Sequence, residues 1–207
     1  AFVAPEAVGQ VAELFASPAK YLAGQSKSRG KERKELALLA IIRMASSAPE
    51  AAAGQIEGGW GAQLSSDELN WAWAVVGKQT AFKLQPEANS YFSKVRRDAD
   101  LNDDLLGWKV RAALRAGDWK AVRKSIEAMG PERNESTWAY WRAKSMLAGR
   151  PSAEDRAEAR QLFEDTAGTG SFYEQLALEE IGQRVTVPPA PAPLSAQDKA
   201  TARSNPG

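Results

Sequence analysis

Thirty consecutive residues, Leu101 to Gly130 (LNDDLLGWKVRAALRAGDWKAVRKSIEAMG), constrain this chain more than any other stretch, because they contain two helix starts and two helix stops. Asn102 is placed to cap a first helix, Asp103 and Asp104 fall in its first turn, where carboxylates suit the positive end of the dipole, and Gly117 suits a left-handed stop. Asp118 then caps a second helix at once. Trp119, Val122, Ile126 and Met129 recur at three- and four-residue steps before Gly130 and Pro131 end it. The first helix carries two apolar stripes, Leu105/Trp108/Ala112 and Leu106/Val110/Ala113, whereas the second carries one. A helix with two apolar sides requires a neighbour on each, so this hairpin predicts further hairpins before and after it.

The rest of the chain supplies them. Ser65 and Glu68 form a capping box ahead of Leu69, Ala72, Trp73, Val75 and Val76, which predicts a helix to about Leu84. Pro86 then starts a partner carrying Ala88, Tyr91, Phe92 and Val95, out to Arg97. On the other side, Glu135 to Ala148 ends at Gly149, and Ser152 to Asp155 caps a helix with Ala159, Leu162 and Phe163. Ser171 and Glu174 form another capping box, for a helix stopping at Gly182. Aligning Gly117 with Gly149 gives a spacing of 32 residues, and aligning Trp73 with Trp108 gives 35. Such periods in paired helices fall near the tetratricopeptide class. The fold class is therefore all-α, with stacked helical hairpins forming a tetratricopeptide-like superhelix, an α-solenoid.

Towards the N-terminus, Pro5 to Ala16 has helical spacing after a first-turn proline. Gln25 to Glu35 reads as a solvated loop running into a helix start, Glu32 to Ser47 as a buried helix, and Pro49 to about Trp60 as another. At the other end, Val185 to Pro193 holds four prolines in nine residues and is expected to be an extended linker. Leu194 to Arg203, with Ser195 as cap, begins a further helix. The expected organisation is a superhelical domain over residues 1–184, a linker over 185–193, and the truncated start of a following domain over 194–207. A chain opening Ala1-Phe2-Val3 and closing on Ser204 to Gly207 is expected to be a fragment of a longer protein.

Composition excludes much chemistry. With no histidine and no cysteine among 207 residues, Ser-His-Asp or Cys-His machinery and imidazole or thiolate metal sites cannot be built from this chain. A net charge of +1 gives no field for nucleic acid, and the basic run Lys27 to Lys34 lacks the interleaved aromatics of a nucleic-acid platform. No apolar run approaches the roughly 20 residues of a membrane helix. No cofactor or metal is expected, and no catalytic residue. Asp103/Asp104 and Glu179/Glu180 are adjacent helical pairs pointing about 100° apart, unsuited to shared acid–base work. The seven tryptophans are the best ligand-binding candidates. Trp71/Trp73 and Trp138/Trp141 offer stacking faces, although at least one of each pair falls on a packing stripe. Trp60, after two glycines, is the candidate for partial exposure.

Trp108 to Val122 (WKVRAALRAGDWKAV), Thr137 to Leu147 (TWAYWRAKSML) and Ser171 to Gly182 (SFYEQLALEEIG), ahead of a proline-rich linker, resemble the soluble lytic transglycosylase family of periplasmic murein enzymes. The likeness is to the helical superhelix domain preceding their catalytic domain, covers about Phe2 to Gly207 and is strongest from Trp108 onward. It implies a periplasmic location and peptidoglycan glycan strands as partner, with other cell-wall proteins as further partners. Family members cleave between N-acetylmuramic acid and N-acetylglucosamine without water, leaving a 1,6-anhydro end, by one glutamate of a separate lysozyme-like domain. That domain's motifs are a Glu-Ser pair, a Gly-Leu-Met-Gln run and an Ala-Tyr-Asn run. Here Glu135-Ser136 matches the first alone and reads as the first turn of a repeat helix, so no catalytic residue carries over. The expected role is a non-catalytic scaffold, inactive by itself, of a lytic transglycosylase whose catalytic domain lies outside this chain. The alternative is a helical-repeat adaptor binding a protein or peptide.

Overall fold

A computed structural model describes residues 5–24, 30–185, 190 and 192–204. Every regular element among them is helical: α1 (Pro5–Ala16), α2 (Pro18–Ala23), α3 (Gly30–Ser47), α4 (Pro49–Gln55), α5 (Ser66–Phe82), α6 (Ala88–Phe92), α7 (Asp103–Ala116), α8 (Trp119–Glu127), α9 (Ser136–Leu147), α10 (Ala153–Thr166), α11 (Phe172–Glu180) and α12 (Ala196–Ser204). Consecutive helices pair as α3/α4, α5/α6, α7/α8 and α9/α10. The pairs stack through α3 on α5, α5 on α7, α8 on α9, and α11 on both α9 and α10. The all-α architecture of stacked hairpins is thus as the periodicity predicts.

The punctuation that defined the central hairpin is in place. Asn102 accepts the Leu105 N–H at 3.0 Å, Asp118 accepts that of Ala121 at 3.0 Å, and Gly117 adopts φ 69°. The boxes at Ser65/Glu68 and Ser152/Asp155 are reciprocal. At α11 the expected box is one-sided: Ser171 accepts the Glu174 N–H, but the Glu174 carboxylate reaches one residue further back and takes the Gly170 N–H at 2.8 Å. A similar box opens α12, where Ser195 and Asp198 exchange bonds at 3.1 Å.

The hairpin expected to end at Arg97 is shorter than its sequence suggests. Its second helix, α6, has five residues. Phe92 lies flat on Gly77 of α5, where a methyl group would stand 2.8 Å from the ring. This close approach is followed by a tightened turn, with the Val95 N–H on the Phe92 carbonyl at 3.1 Å. The next free amide, that of Arg96, is taken by the buried Asn70 side chain at 2.9 Å, so the chain continues as a linker rather than a helix. Val95 is still buried, by the linker rather than by helical periodicity. The loop before α6 also departs from expectation: α5 stops at Phe82, and Leu84 is a branched residue in the left-handed region, φ 56°, with its side chain exposed.

At the N-terminal end, α2 is a short helix opened by Pro18, not foreseen from the pattern, and α3 begins at Gly30, two residues early. The helix from Pro49 turns into a wide turn over Ile56–Trp60 with Gly59 at φ 127°. Residues 27–29 of the basic run and most of the proline-rich stretch, 186–189 and 191, lie outside the described residues.

Apolar burial falls into two clusters. One runs from Leu14 through α8 and takes in Trp138; the other comprises Tyr140, Ala143, Met146, Ala159, Phe163 and Ala177. Trp141 packs against both, so α9 is the seam.

Candidate functional site

Side chains of α5, α7, α8, α9 and α11 follow one another in a row across successive hairpins. Phe82, at the end of α5 and 67% exposed, meets Trp108 of α7 edge-on at 5.7 Å. One turn further along α7, Arg111 lays its guanidinium over Trp108 and over Trp138 of α9, 5.1 Å from each ring. Three residues along α9, on the same side of that helix, Trp141 tilts against Trp119 at 6.4 Å and donates its indole N–H to the Tyr173 hydroxyl of α11 at 3.2 Å. Tyr173 contacts Phe172 at 5.3 Å, and Phe172 is 67% exposed.

Charged pairs fasten the same row. Lys78 of α5 reaches Asp104 of α7 at 2.5 Å, Arg115 of α7 donates to the Leu84 carbonyl, and Lys144 of α9 meets Glu180 of α11 at 2.8 Å. Glu180 also accepts the buried Tyr140 hydroxyl at 3.1 Å. Burial, and then this bond to a carboxylate, push the Tyr140 phenol up to about 12, because both penalise the phenolate.

The tryptophan pairs of the sequence resolve into different roles. Trp73 is buried, stacked on Tyr91 at 6.1 Å, with the Lys94 ammonium over its ring 4.4 Å from the centroid. Trp71 is at the surface and donates to the Asp100 carbonyl at 2.8 Å. Trp138 is 6% exposed, while Trp141 is partly open. Each pair therefore has a core member and a surface member, as their packing stripes suggest. Trp60 corrects the expectation of exposure: it is 8% exposed, with Arg33 of α3 at 5.4 Å over the ring. The glycines that suggested a loose loop instead let the chain reverse and turn the indole inward.

The acidic pairs do not converge. Asp103 takes the Gly130 N–H at 2.9 Å while Asp104 faces Lys78. Glu135 is the exposed residue before α9, and Ser136 contacts the Ser171 hydroxyl at 3.2 Å, a partner that cannot act as a base. A cleft of about 470 Å³ lies between α9, α10 and α11 and is lined by Arg133, Arg142, Asp165 and Glu174 among others. Two arginines and two carboxylates balance the charge of its lining.

A polar knot next to the row was not foreseen. Asp98 and Lys109 are both buried and paired at 2.5 Å, with Lys124 at 3.7 Å from the second carboxylate oxygen. The signal in the sequence was Lys109 itself, between Leu105 and Ala112 on an apolar stripe, where a lysine needs a buried acid. Asn70 joins the neighbouring turn by donating to Asp100 at 2.7 Å. Asp100 is held below the usual carboxylate range first by its hydrogen bond from Arg97 and then by Asn70.

Fold and surface define a helical-repeat protein with an aromatic and charged face. The architecture is shared with a solved lytic transglycosylase: over 97% of this chain it superposes, with a TM-score of 0.67 and 24% identity, on the X-ray structure of an inactive mutant of lytic transglycosylase Slt from Pseudomonas aeruginosa. The chain spans 33% of that protein's length. No protein-family model matches the sequence, and no curated protein matches it.

Proposed function

We propose that this chain is the non-catalytic superhelical scaffold of a periplasmic lytic transglycosylase, and that it holds peptidoglycan glycan strands for a catalytic domain outside this chain. The observation that carries the reading is the fold shared with lytic transglycosylase Slt along nearly the whole chain. The row from Phe82 to Phe172 fits it chemically, since sugar rings present apolar C–H faces to aromatic side chains and hydroxyls to the charged groups between them. Residues 1–184 form the scaffold, 185–193 link it to the next unit, and 194–207 begin that unit. Other cell-wall proteins are further partners. No described helix is long and apolar enough to cross a membrane.

Co-sedimentation with purified murein sacculi tests the reading. The chain is expected to pellet with sacculi and to release no anhydromuropeptides. Release of such products would show a reacting centre in this chain, and failure to pellet would remove the scaffold role. Capture of one envelope protein without murein binding would point instead to an adaptor.

A further inference from the structure

Arg111 is exposed and yet held in a fixed place. Its guanidinium is sandwiched by Trp108 and Trp138, and among the described residues it makes no ion pair and no hydrogen bond. The neighbouring cations are committed: Lys78 to Asp104, Arg115 to the Leu84 carbonyl, Lys144 to Glu180, Arg123 to Glu127 and Asp155. The two indole rings offer the guanidinium no hydrogen-bond acceptor oxygen, so its donors, a planar fork matched to a carboxylate, have no acceptor among the described residues. Gly107 makes the sandwich possible. A methyl group there would stand 3.0 Å from the Trp138 ring and 3.2 Å from Arg111 Nη1, so any larger residue would push both apart. Beside the fork, Trp108 is partly open and Phe82 stands out from the surface, forming an apolar ledge one side chain away.

We infer that Arg111 is a receptor for the carboxylate of an acidic sugar, with the ring of that sugar or its neighbour resting on Trp108 and Phe82. This rests on the proposed glycan-holding role and gives it chemical selectivity: in a murein strand stripped of its peptides the muramyl residue carries a free lactyl carboxylate, which an amide bond to the peptide otherwise consumes, while the alternating glucosamine residue carries none. Trp138 is the back wall of the site rather than a contact. Selectivity for a carboxylate borne on a sugar follows because the ledge without the fork would accept any pyranose, and the fork without the ledge any carboxylate.

The probes are a peptide-stripped murein hexasaccharide, the same oligosaccharide with its carboxylates converted to carboxamides, chitohexaose, and an acetylated acidic tetrapeptide. Binding is read by calorimetry on the full chain and on Arg111→Lys, an exposed substitution that keeps the charge and removes the fork. The wild type is expected to bind the acidic hexasaccharide about tenfold more tightly than its carboxamide or chitohexaose, and Arg111→Lys to abolish that preference while binding the neutral sugars as before. Gly107→Ala, which disturbs the sandwich without touching a charge, is expected to reduce the same preference. If the wild type binds all three sugars equally, or if Arg111→Lys keeps the preference, the receptor is overturned while the glycan-holding role stands. If the tetrapeptide binds as tightly as the acidic sugar, the sugar part is overturned. If no sugar binds, both fall together.

Discussion

Two of the polar ties between successive hairpins are built in opposite ways. Between α6, α7 and α8, Asp98 and Lys109 meet with both charges removed from water, inside the large apolar cluster. Between α9 and α11, Tyr140 is a buried neutral donor whose acceptor, Glu180, sits at the surface and shares itself with Lys144. The first tie lies within a core extending from Leu14 to Trp138; the second flanks a cluster of six buried residues. Burying two charges is tolerable where surrounding packing fixes their geometry, because a misplaced charge there costs several kcal/mol. At the thinner end, a neutral phenol and a solvated carboxylate connect helices without that penalty. The comparison teaches that the stack buries charge in its middle and keeps it near the surface towards α11.

The comparison is broken most severely at Asp98. Asp98→Ala leaves Lys109 as a buried charge without its partner and is expected to lower stability by about 3–5 kcal/mol, measured by urea denaturation. A loss no larger than an ordinary surface change would mean that Lys109 escapes to solvent and that the middle is looser than described.

A smaller effect is expected at the other tie. Tyr140→Phe keeps the ring and removes one hydrogen bond, about 0.5–1.5 kcal/mol near neutral pH. Its sharper signature is at high pH. The folded protein holds the Tyr140 proton up to about 12 against an ordinary value of 10.0, so this stabilisation is complete below pH 10 and is lost as pH rises towards 12. Tyr91, also raised chiefly by burial, declines over the alkaline range in both proteins. The difference between wild type and variant therefore isolates Tyr140, and it should shrink between pH 10 and 12.

The smallest effect concerns the link between the two regions. Arg123 of α8 bridges to Asp155 of α10 at 2.8 Å and holds that carboxyl below its usual 3.8, with the Ser152 backbone adding to the effect. This contribution is present above pH 3.8 and is lost as pH falls through the lower folded value. Asp155→Asn should change stability only slightly at neutral pH, less in high salt, and should flatten this acid limb. A large effect independent of salt would mean that the bridge, not the apolar seam at Trp141, joins the regions.

Much of this was legible from residues with a short-range job. Asn102, Gly117, Asp118, Ser65 and Ser152 act on amides within a few positions, so their spacing alone announced the helix ends. The misreadings share a long-range cause. Nothing near Val95 says that Asn70, 26 residues earlier, takes the Arg96 amide and ends the helix. Nothing near Trp60 says that Arg33 lies above it. The aromatic row was visible as seven tryptophans but not as a row, because Phe82, Arg111 and Tyr173 enter it through contacts between hairpins.

The bond from the Gly130 amide to the Asp103 carboxylate, spanning 27 residues, has a consequence beyond capping. It ties the last residue of the central hairpin to the first turn of the same hairpin, so the two ends of the unit are joined by one of its own bonds. Such a closed unit can form early in folding, from contacts near in sequence, and wait for the rest. It is also a natural unit of inheritance: a gene segment copied at these limits would lengthen the stack by one step and carry this end-to-end bond with it.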